Sequence, residues 1–497
     1  MQVKTAVDEI QNYLIDTSNL QGGYADKLFI PESSSEIAEI LKEANEKNVK
    51  VTVSGARTGT VGGAIPFGGI IISLEKLNKI KEINKTENYA IVQSGVILKD
   101  FQKAVESENL FYPPDPTEWS CQIGGTIATN ASGARSFKYG ATRNFVIKLE
   151  IVLPNGEILL LKRGENFSNN GFIELKTEQG TIFKAKLPTY RQPKVRKNTS
   201  GYFSGETVDA IDLFIGSEGT LGIITEAELR ILPKPQSFFS GIVFFENEEN
   251  LLDFVRQARK ISFNTRSETI QNLLEASLIE YFDEKALKFI SEKFPDVPET
   301  AKGAIFFEQE TNSENEDELL ERWNELLEKN NADLDNSWFT TTENDREKLR
   351  EFRHALPVSV NERIVRYKQK KIGTDMAVPD ENFASFLKFY KEKLDASGLE
   401  YVIFGHIGDN HLHANMIPKT DEEATKAKHL YGRFIAQSVM LGGTISAEHG
   451  IGKHKSKYLY VQYGERFLNE MAELKRAFDP KGILGRGNMF DEKFLMV

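Results

Sequence analysis

Cysteine is almost missing from this 497-residue chain, where Cys121 stands alone. A single thiol excludes an intramolecular disulfide and any iron-sulfur cluster held by this chain's own cysteines, so any electron chemistry here needs another cofactor. Long apolar runs are absent too. The longest candidates, Gly68 to Ser73 and Leu159 to Leu161, are strand-sized and fall far below the ~18 residues that cross a bilayer. The first ten residues, with two acids and no apolar stretch, do not read as a secretory signal, so a cytoplasmic protein is expected, with peripheral attachment to a membrane left open. A basic excess is lacking as well: 62 Lys and Arg against 73 Asp and Glu leave a net charge of −11, which argues against nucleic acid as the partner. Most telling, the first 353 residues contain no histidine, and all seven lie between His354 and His454. Acid-base or metal chemistry is to be sought there.

The length suggests roughly two to four domains. Residues 1 to about 50 read as helical, with Ser33-Ser-Ser-Glu36 resembling a capping box ahead of Ile37, Ile40, Leu41 and Ala44. Two strand-rich, glycine-broken stretches follow, Val51 to Ile97 and Gly124 to Leu232, and Leu232-Pro-Lys-Pro235 marks a boundary. Beyond it, strands at Gly241 to Phe245, Gly303 to Phe307 and Tyr401 to Phe404 alternate with helices at Glu249 to Ile261 and Glu316 to Asn330. That pattern predicts an α+β layer of sheet covered by helices. The charged stretch Asn312 to Glu328 reads as a solvated helix face.

Three glycine-rich segments punctuate the histidine-free part: Val53 to Gly63, Ile123 to Gly133 and Gly216 to Thr225. Glycine lets successive amide N–H groups converge on a pyrophosphate. None has the spacing of a Rossmann fingerprint or a Walker loop. In this order the segments resemble the flavoproteins of the vanillyl-alcohol-oxidase type, on the branch containing D-lactate dehydrogenase, the glycolate oxidase flavin subunit and D-2-hydroxyglutarate dehydrogenase. The resemblance covers nearly the whole chain. It implies a two-subdomain FAD-binding domain of the PCMH type over residues 1–236, an antiparallel-sheet α+β substrate cap over 237–440, and a C-terminal segment, 441–497, that returns to the FAD domain.

It also implies non-covalent FAD. Ser54, Gly55, Arg57, Thr58, Gly59, Thr60 and Gly62 would cradle the pyrophosphate. Pro114, Asp115, Gly125, Thr129, Asn130, Ser132 and Gly133 would flank the flavin, and Glu218, Gly222, Ile223 and Ile224 would lie along the nucleotide. Some relatives tether FAD through a histidine that this front lacks, and Cys121 reads as a small buried residue instead.

The histidines gather in Phe404 to Asn415 and Ser446 to His454. Taken as a hairpin with Asp409-Asn410 as a two-residue turn, the first segment sets His406 directly opposite His413, with Cβ atoms about 5 Å apart. Two imidazoles, the Glu448 carboxylate and an open position suit Zn²⁺, with Mn²⁺, Fe²⁺ or Co²⁺ as alternatives. The resemblance assigns His406, His413 and Glu448 as metal ligands, His449 as the base, and Asn415 and Arg353 as substrate contacts. Where relatives commonly read Gly-Asp-Gly-Asn-Leu-His, this chain has Gly408-Asp-Asn-His-Leu-His413, so His411 is an extra imidazole on the same face.

The reaction expected is oxidation of a small D-2-hydroxy acid, with D-lactate leading by family frequency and D-2-hydroxyglutarate or glycolate as alternatives. Electrons would pass to a cytochrome, quinone or electron-transfer protein, and a homodimer is compatible with all of this. A metal-dependent hydrolase that uses the histidines without redox chemistry is the rival from another class. The basic run Arg363 to Lys371 reads as solvated, or else as a second carboxylate subsite or a docking patch for an acidic acceptor.

Overall fold

The computed structural model describes residues 1–268 and 274–495. Its front half is built on two main sheets, with two-stranded pairs at Phe172–Lys176 with Ile182–Lys186 and at Leu110–Phe111 with Leu232–Pro233. The first sets Lys27–Ile30, Ile70–Ser73 and Val51–Ser54 parallel to one another, with Gln2–Lys4 antiparallel at one edge. Ile70–Ser73 sits inside that sheet and is buried at every residue, as a parallel strand covered on both faces must be. The second sheet is antiparallel, in the order Ile80–Asn84, Tyr89–Gln93, Ile223–Arg230, Val146–Val152 and Ile158–Lys162.

The first fifty residues are less helical than their pattern predicts. Gln2–Lys4 and Lys27–Ile30 are strands, because Leu28 and Ile30 alternate inward over a sheet. The helix Ser34–Glu46 does form, burying Ile37, Ile40, Leu41 and Ala44, and the Ser33 side chain accepts the Glu36 N–H at 3.2 Å. The Glu36 carboxylate reaches one residue further back than a capping box requires, accepting from the Glu32 N–H at 2.7 Å. The second strand-rich stretch opens with a short helix, Ile123–Ala128, that carries two of its glycines.

Residues beyond 236 build a seven-stranded antiparallel sheet in the order Asp333–Thr340, Ser237–Phe245, Gly303–Thr311, Ala276–Asp283, Tyr401–Gly405, His413–Met416 and Ile372–Gly373. Alternation along its central strands feeds two cores. Val243, Phe245, Ile305 and Phe307 pack with Phe254 and Trp323 of the helices Glu248–Glu268 and Glu316–Lys329. Ile242, Phe244, Ala304 and Phe306 pack on Phe352 and Leu356 of the helix Glu343–Tyr367. Each buried phenylalanine contributes roughly 1.5–3 kcal/mol, so the sheet is held from both faces. The helix Glu316–Lys329 turns Leu319, Trp323, Leu326 and Leu327 inward and leaves its charges in solvent, as predicted.

After the helix Asp421–Met440 the chain crosses back to the front. Val51 N–H donates to Ile483 O at 2.8 Å, Gly485 N–H donates to Val51 O, and Lys453 N–H donates to Val61 O. The C-terminal segment therefore closes on the sheet and loop that carry the first glycine segment. No helix among the described residues is long and apolar enough to cross a membrane.

Candidate active site

One cleft runs between the glycine segments and ends at the histidines. Gly55, Arg57, Thr58, Gly59 and Thr60 form one wall; Gly125, Thr129, Ser132 and Gly133 form another. Glu218, Gly222, Ile223 and Ile224 line its floor, and His406, Glu448 and His449 close its end. A Cβ built on Gly59 or Gly125 would meet no protein atom within 4 Å, so bare backbone faces open space there. Arg57 and Glu218 hold left-handed φ of 62° and 54°, conformations that non-glycine residues adopt at a cost and that gather at ligand sites. The space, the bare amides and the strained turns fit a dinucleotide.

Five of the residues expected to contact the cofactor lie off this cleft. Ser54 is fully buried beneath the loop, and Gly62 makes its turn at φ 76° with Leu20 packed behind it. Pro114 O accepts from the Gln102 amide, and Asp115 accepts from the Trp119 indole at 3.1 Å beside Arg135. Asn130 turns its Oδ1 to the Arg143 N–H and lines a different, polar cavity. Glu218 does line the cleft, yet its carboxylate is taken by the N–H groups of Ile451 and Gly452 at 2.6 and 2.7 Å. It fastens the C-terminal segment to the cleft floor. Lys453 and Asn488 do the same for the first glycine loop, donating to the carbonyls of Gly62 and Gly63 and to that of Gly63 respectively. The Cys121 thiol also lines the cleft, and burial pushes it up to about 12, so it is not a nucleophile near neutral pH.

The two-residue turn expected at Asp409-Asn410 is not what forms. The ladder pairs Phe404 with His413 and Val402 with Asn415, a register shifted by two residues. Between the strands lies a longer loop: a 3-10 turn, Ile407–Asp409, closed by Asn410 in the left-handed region at φ 53°. A shift of two preserves the face of each side chain, and His406 lies beyond the strand end, so the rings still converge. Their centroids are 5.7 Å apart for His406 and His413, 5.6 Å for His406 and His411, and 4.5 Å for His411 and His413.

His406 Nε2 and His413 Nε2 stand 3.3 and 3.1 Å from Glu448 Oε1. Behind them, His406 Nδ1 meets Glu280 Oε1 at 2.6 Å and His413 Nδ1 meets the Thr374 carbonyl at 2.9 Å. A carbonyl only accepts, so His413 Nδ1 carries a proton, and in the neutral ring its Nε2 turns a lone pair toward a carboxylate. In that state two acceptors face each other in a buried site and call for a cation between them, and backing a ligand histidine with a carboxylate or carbonyl is the usual support of a metal centre. Among the described residues, His406, His411, His413 and Glu448 offer ligand atoms that all lie within 4.8 Å of one another.

Buried charges surround this group. Although burial alone would raise it, Lys197 and His406 hold Glu448 well below the usual carboxylate range, and Lys197 Nζ donates to Glu448 Oε2 at 3.0 Å. Against the same burial, His406 and Arg353 hold Glu280 at about 2. Burial, reinforced by Lys455 and His413, pushes His449 down to about 4, which keeps it neutral near pH 7. Asp375 is fully buried and accepts from Lys455 Nζ at 2.5 Å, Ser446 Oγ at 2.7 Å, and the N–H groups of Glu448 and His449. His449 Nδ1 stands 3.5 Å from its Oδ2.

Arg353 is not a surface arginine. Its Nε donates to Glu280 Oε2 at 3.0 Å, so one carboxylate ties it to His406. It opens on a neighbouring cavity that it shares with Asp115, Arg135 and Arg350. Asn415 is buried on the strand face of His413, paired with Gly373, where a Cβ would press on its Oδ1 at 2.8 Å. Of the basic run, Arg363 pairs with Glu400 at 3.4 Å and Lys370 donates to Asn19 O at 2.7 Å.

Glu280, Asp375, Lys197 and Lys455 were not singled out from the sequence. A signal was present for two of them: Glu280 and Asp375 are acids inside the apolar runs Ala276 to Phe282 and Thr374 to Val378. Such a charge is buried only when it is paired.

A backbone-lined cleft that ends in histidines and a carboxylate, with a guanidinium in the neighbouring cavity, fits a cofactor-dependent oxidoreductase. Residues 235–489 match the C-terminal domain of FAD linked oxidases, and residues 25–162 match the FAD binding domain. The chain belongs to the FAD-linked oxidase family. It is 30% identical over 487 residues to the glycolate oxidase subunit GlcD of Bacillus subtilis (strain 168), covering 96% of this chain and 92% of the relative. It is 32% identical to a D-lactate dehydrogenase of Anaerostipes hadrus, covering 92% and 88%, and 26% identical to a D-2-hydroxyglutarate dehydrogenase of Stutzerimonas stutzeri (strain A1501), covering 98% and 96%. The same fold is found in a 4-ethylphenol oxidase from Gulosibacter chungangensis, with a TM-score of 0.69 at 18% identity over 99% of this chain and 95% of that one.

Proposed function

We propose that this protein is a metal-assisted dehydrogenase of D-2-hydroxy acids, with D-lactate as the leading substrate and FAD bound without a covalent link. The observation that carries this reading is the single cleft in which Gly125 and Ser132 stand on the same wall system as His406, Glu448 and His449. In that reading residues 1–236 hold FAD, 237–440 form the cap, and 441–497 bring Glu448 and His449 to the cleft. When bound, FAD supplies the hydride acceptor for C2, and a divalent metal held by His406, His413 and Glu448 supplies the positive charge that makes the substrate hydroxyl acidic.

The chain's own residues do the rest. Arg353, with its Nε held by Glu280 and its Nη1 3.4 Å from His354 Nε2, offers the rest of its guanidinium to the substrate carboxylate from the neighbouring cavity, and Asn415 adds a contact. Neutral His449 takes the hydroxyl proton at Nε2, while Asp375 beside Nδ1 fixes the tautomer and steadies the imidazolium that forms. Glu280 orients His406 and Arg353 together. Electrons then leave to a separate acceptor, a cytochrome, quinone or electron-transfer protein.

The test is anaerobic reduction of the FAD-loaded protein by D-lactate, glycolate and D-2-hydroxyglutarate, before and after chelation. D-lactate should bleach the flavin bands fastest, and chelation should slow bleaching by at least roughly a hundredfold. Unchanged rates after chelation would remove the metal from the reading, and absence of flavin bands would return the histidine cluster to hydrolytic chemistry.

A further inference from the structure

We infer that His411 is a fourth protein ligand of the metal, so that the site presents three imidazoles and one carboxylate and selects an ion of the six-coordinate Mn²⁺ class over tetrahedral Zn²⁺. The inference rests on the metal-assisted reading above.

His411 is fully buried, and among the described residues neither of its ring nitrogens has a hydrogen-bond partner. Buried polar groups left in that state are rare enough to require a cause. Its Nε2 lies 3.1 Å from Asp375 Oδ1, off the line of a good hydrogen bond. A carboxylate only accepts, so the proton of the neutral ring belongs at Nε2 and the Nδ1 lone pair is left over. That nitrogen stands 3.9 Å from Glu448 Oε2, another acceptor.

His406 and His413 follow the same rule with their nitrogens exchanged. Each has an acceptor behind Nδ1 and turns Nε2 to Glu448 Oε1, at 3.3 and 3.1 Å. His406 and His413 are thus braced from outside, His411 stands against Asp375, and all three rings turn toward one carboxylate. Of that carboxylate, Oε2 is already taken by Ser132 Oγ and Lys197 Nζ at 3.0 Å each, which leaves Oε1, the oxygen facing His406 and His413, for the ion. The backbone explains how His411 joins. Asn410 in the left-handed region reverses the chain, and His411 N–H donates back to His406 O at 3.2 Å.

Four protein ligands close a tetrahedral Zn²⁺ site. A 2-hydroxy acid that binds through its hydroxyl and one carboxylate oxygen needs two further positions. Six ligands of mixed nitrogen and oxygen suit Mn²⁺, Fe²⁺ or Co²⁺.

The test uses the FAD-loaded protein, stripped with a chelator and reloaded with Mn²⁺ or Zn²⁺. X-ray absorption fine structure should count three imidazoles around Mn²⁺ in the wild type and two in His411→Phe, and the Mn²⁺ dissociation constant should rise roughly a hundredfold in the variant. D-lactate should bleach the Mn²⁺ form faster than the Zn²⁺ form. Two imidazoles in the wild type, or equal Mn²⁺ affinity in the variant, would overturn the assignment. If His411→Phe does not fold, His411→Asn carries the same expectation of two imidazoles. Failure of the wild type to bind either ion is a separate outcome, since it overturns the metal-assisted reading itself.

Discussion

Asp375 and His449 show how a residue's chemistry is set by what stands behind it. Burial, Lys455 and His413 push His449 down to about 4, while Asp375 pulls the other way without prevailing. The sign of the pH effect follows. An ordinary imidazole takes up a proton near 6.5, so a base of that kind would lose activity tenfold per unit below it. With its pKa lowered, His449 stays able to accept a proton, and kcat/KM for D-lactate should be flat from pH 8 to about 5. The same shift weakens the fold on acidification. Between about pH 6.5 and 4 the unfolded chain binds a proton that the folded chain refuses, so stability falls as pH falls through that window. Denaturant midpoints measured against pH should show that slope in the wild type and a smaller one in His449→Gln. A kcat/KM that drops through pH 6.5 would contradict the assignment. The histidines were legible as chemistry because of their crowding, whereas Glu280 and Asp375 come from sequence positions about 126 and 74 residues from their partners His406 and His449, and only their setting in apolar runs hinted at them.

Secondary-structure elements were legible where periodicity was strong and misread where a loop decided the geometry. The helix Ser34–Glu46 follows from its apolar spacing, and the strands Ser237–Phe245 and Gly303–Thr311 follow from their Phe-rich runs. The histidine loop does not follow, because its 3-10 turn and left-handed Asn410 carry no marker that separates them from a tight turn. The helix Ile123–Ala128 was equally hard to see, since glycine is a poor helix former. Its two glycines serve different ends, and substitution separates them. A Cβ on Gly124 would sit 2.5 Å from Ser94 Cβ, so Gly124→Ala must push the helix off the sheet. The expected cost is about 1–3 kcal/mol, seen as a lowered denaturation midpoint of the FAD-free protein. Gly125 meets nothing within 4 Å, so Gly125→Ala should leave that midpoint unchanged or raise it by up to about 1 kcal/mol. Its methyl group points into the cleft, however, and FAD affinity measured by fluorescence titration should fall. Equal FAD affinity in Gly125→Ala and the wild type would mean that the cofactor does not pass that wall.

The whole molecule joins a front without histidine to a back and a C-terminal segment that between them supply all seven, and the C-terminal segment fastens the two together. The broad α+β plan was legible in the order of the glycine and histidine segments. The fastening was not, because it consists of single side chains reaching backbone amides more than two hundred residues away. Glu218 is the clearest of these, accepting from the N–H groups of Ile451 and Gly452, with a Cβ on Gly450 only 2.8 Å from its Oε1. Those amides lie two to four residues after Glu448 and His449, so the carboxylate that lines the cofactor cleft also sets the position of the proposed ligand and base. Loss of that carboxylate should therefore damage both halves at once. In Glu218→Ala two buried N–H groups lose their acceptor, a cost of about 1–3 kcal/mol each. FAD should dissociate faster, and flavin reduction by D-lactate should slow even in protein saturated with FAD. A local role in the cleft floor alone would change the first measurement and spare the second. Proteolysis within residues 446–455 should accelerate in the same variant, because the segment is released from its anchor, and an unchanged cleavage rate would place the fastening elsewhere, on Lys453 and Asn488.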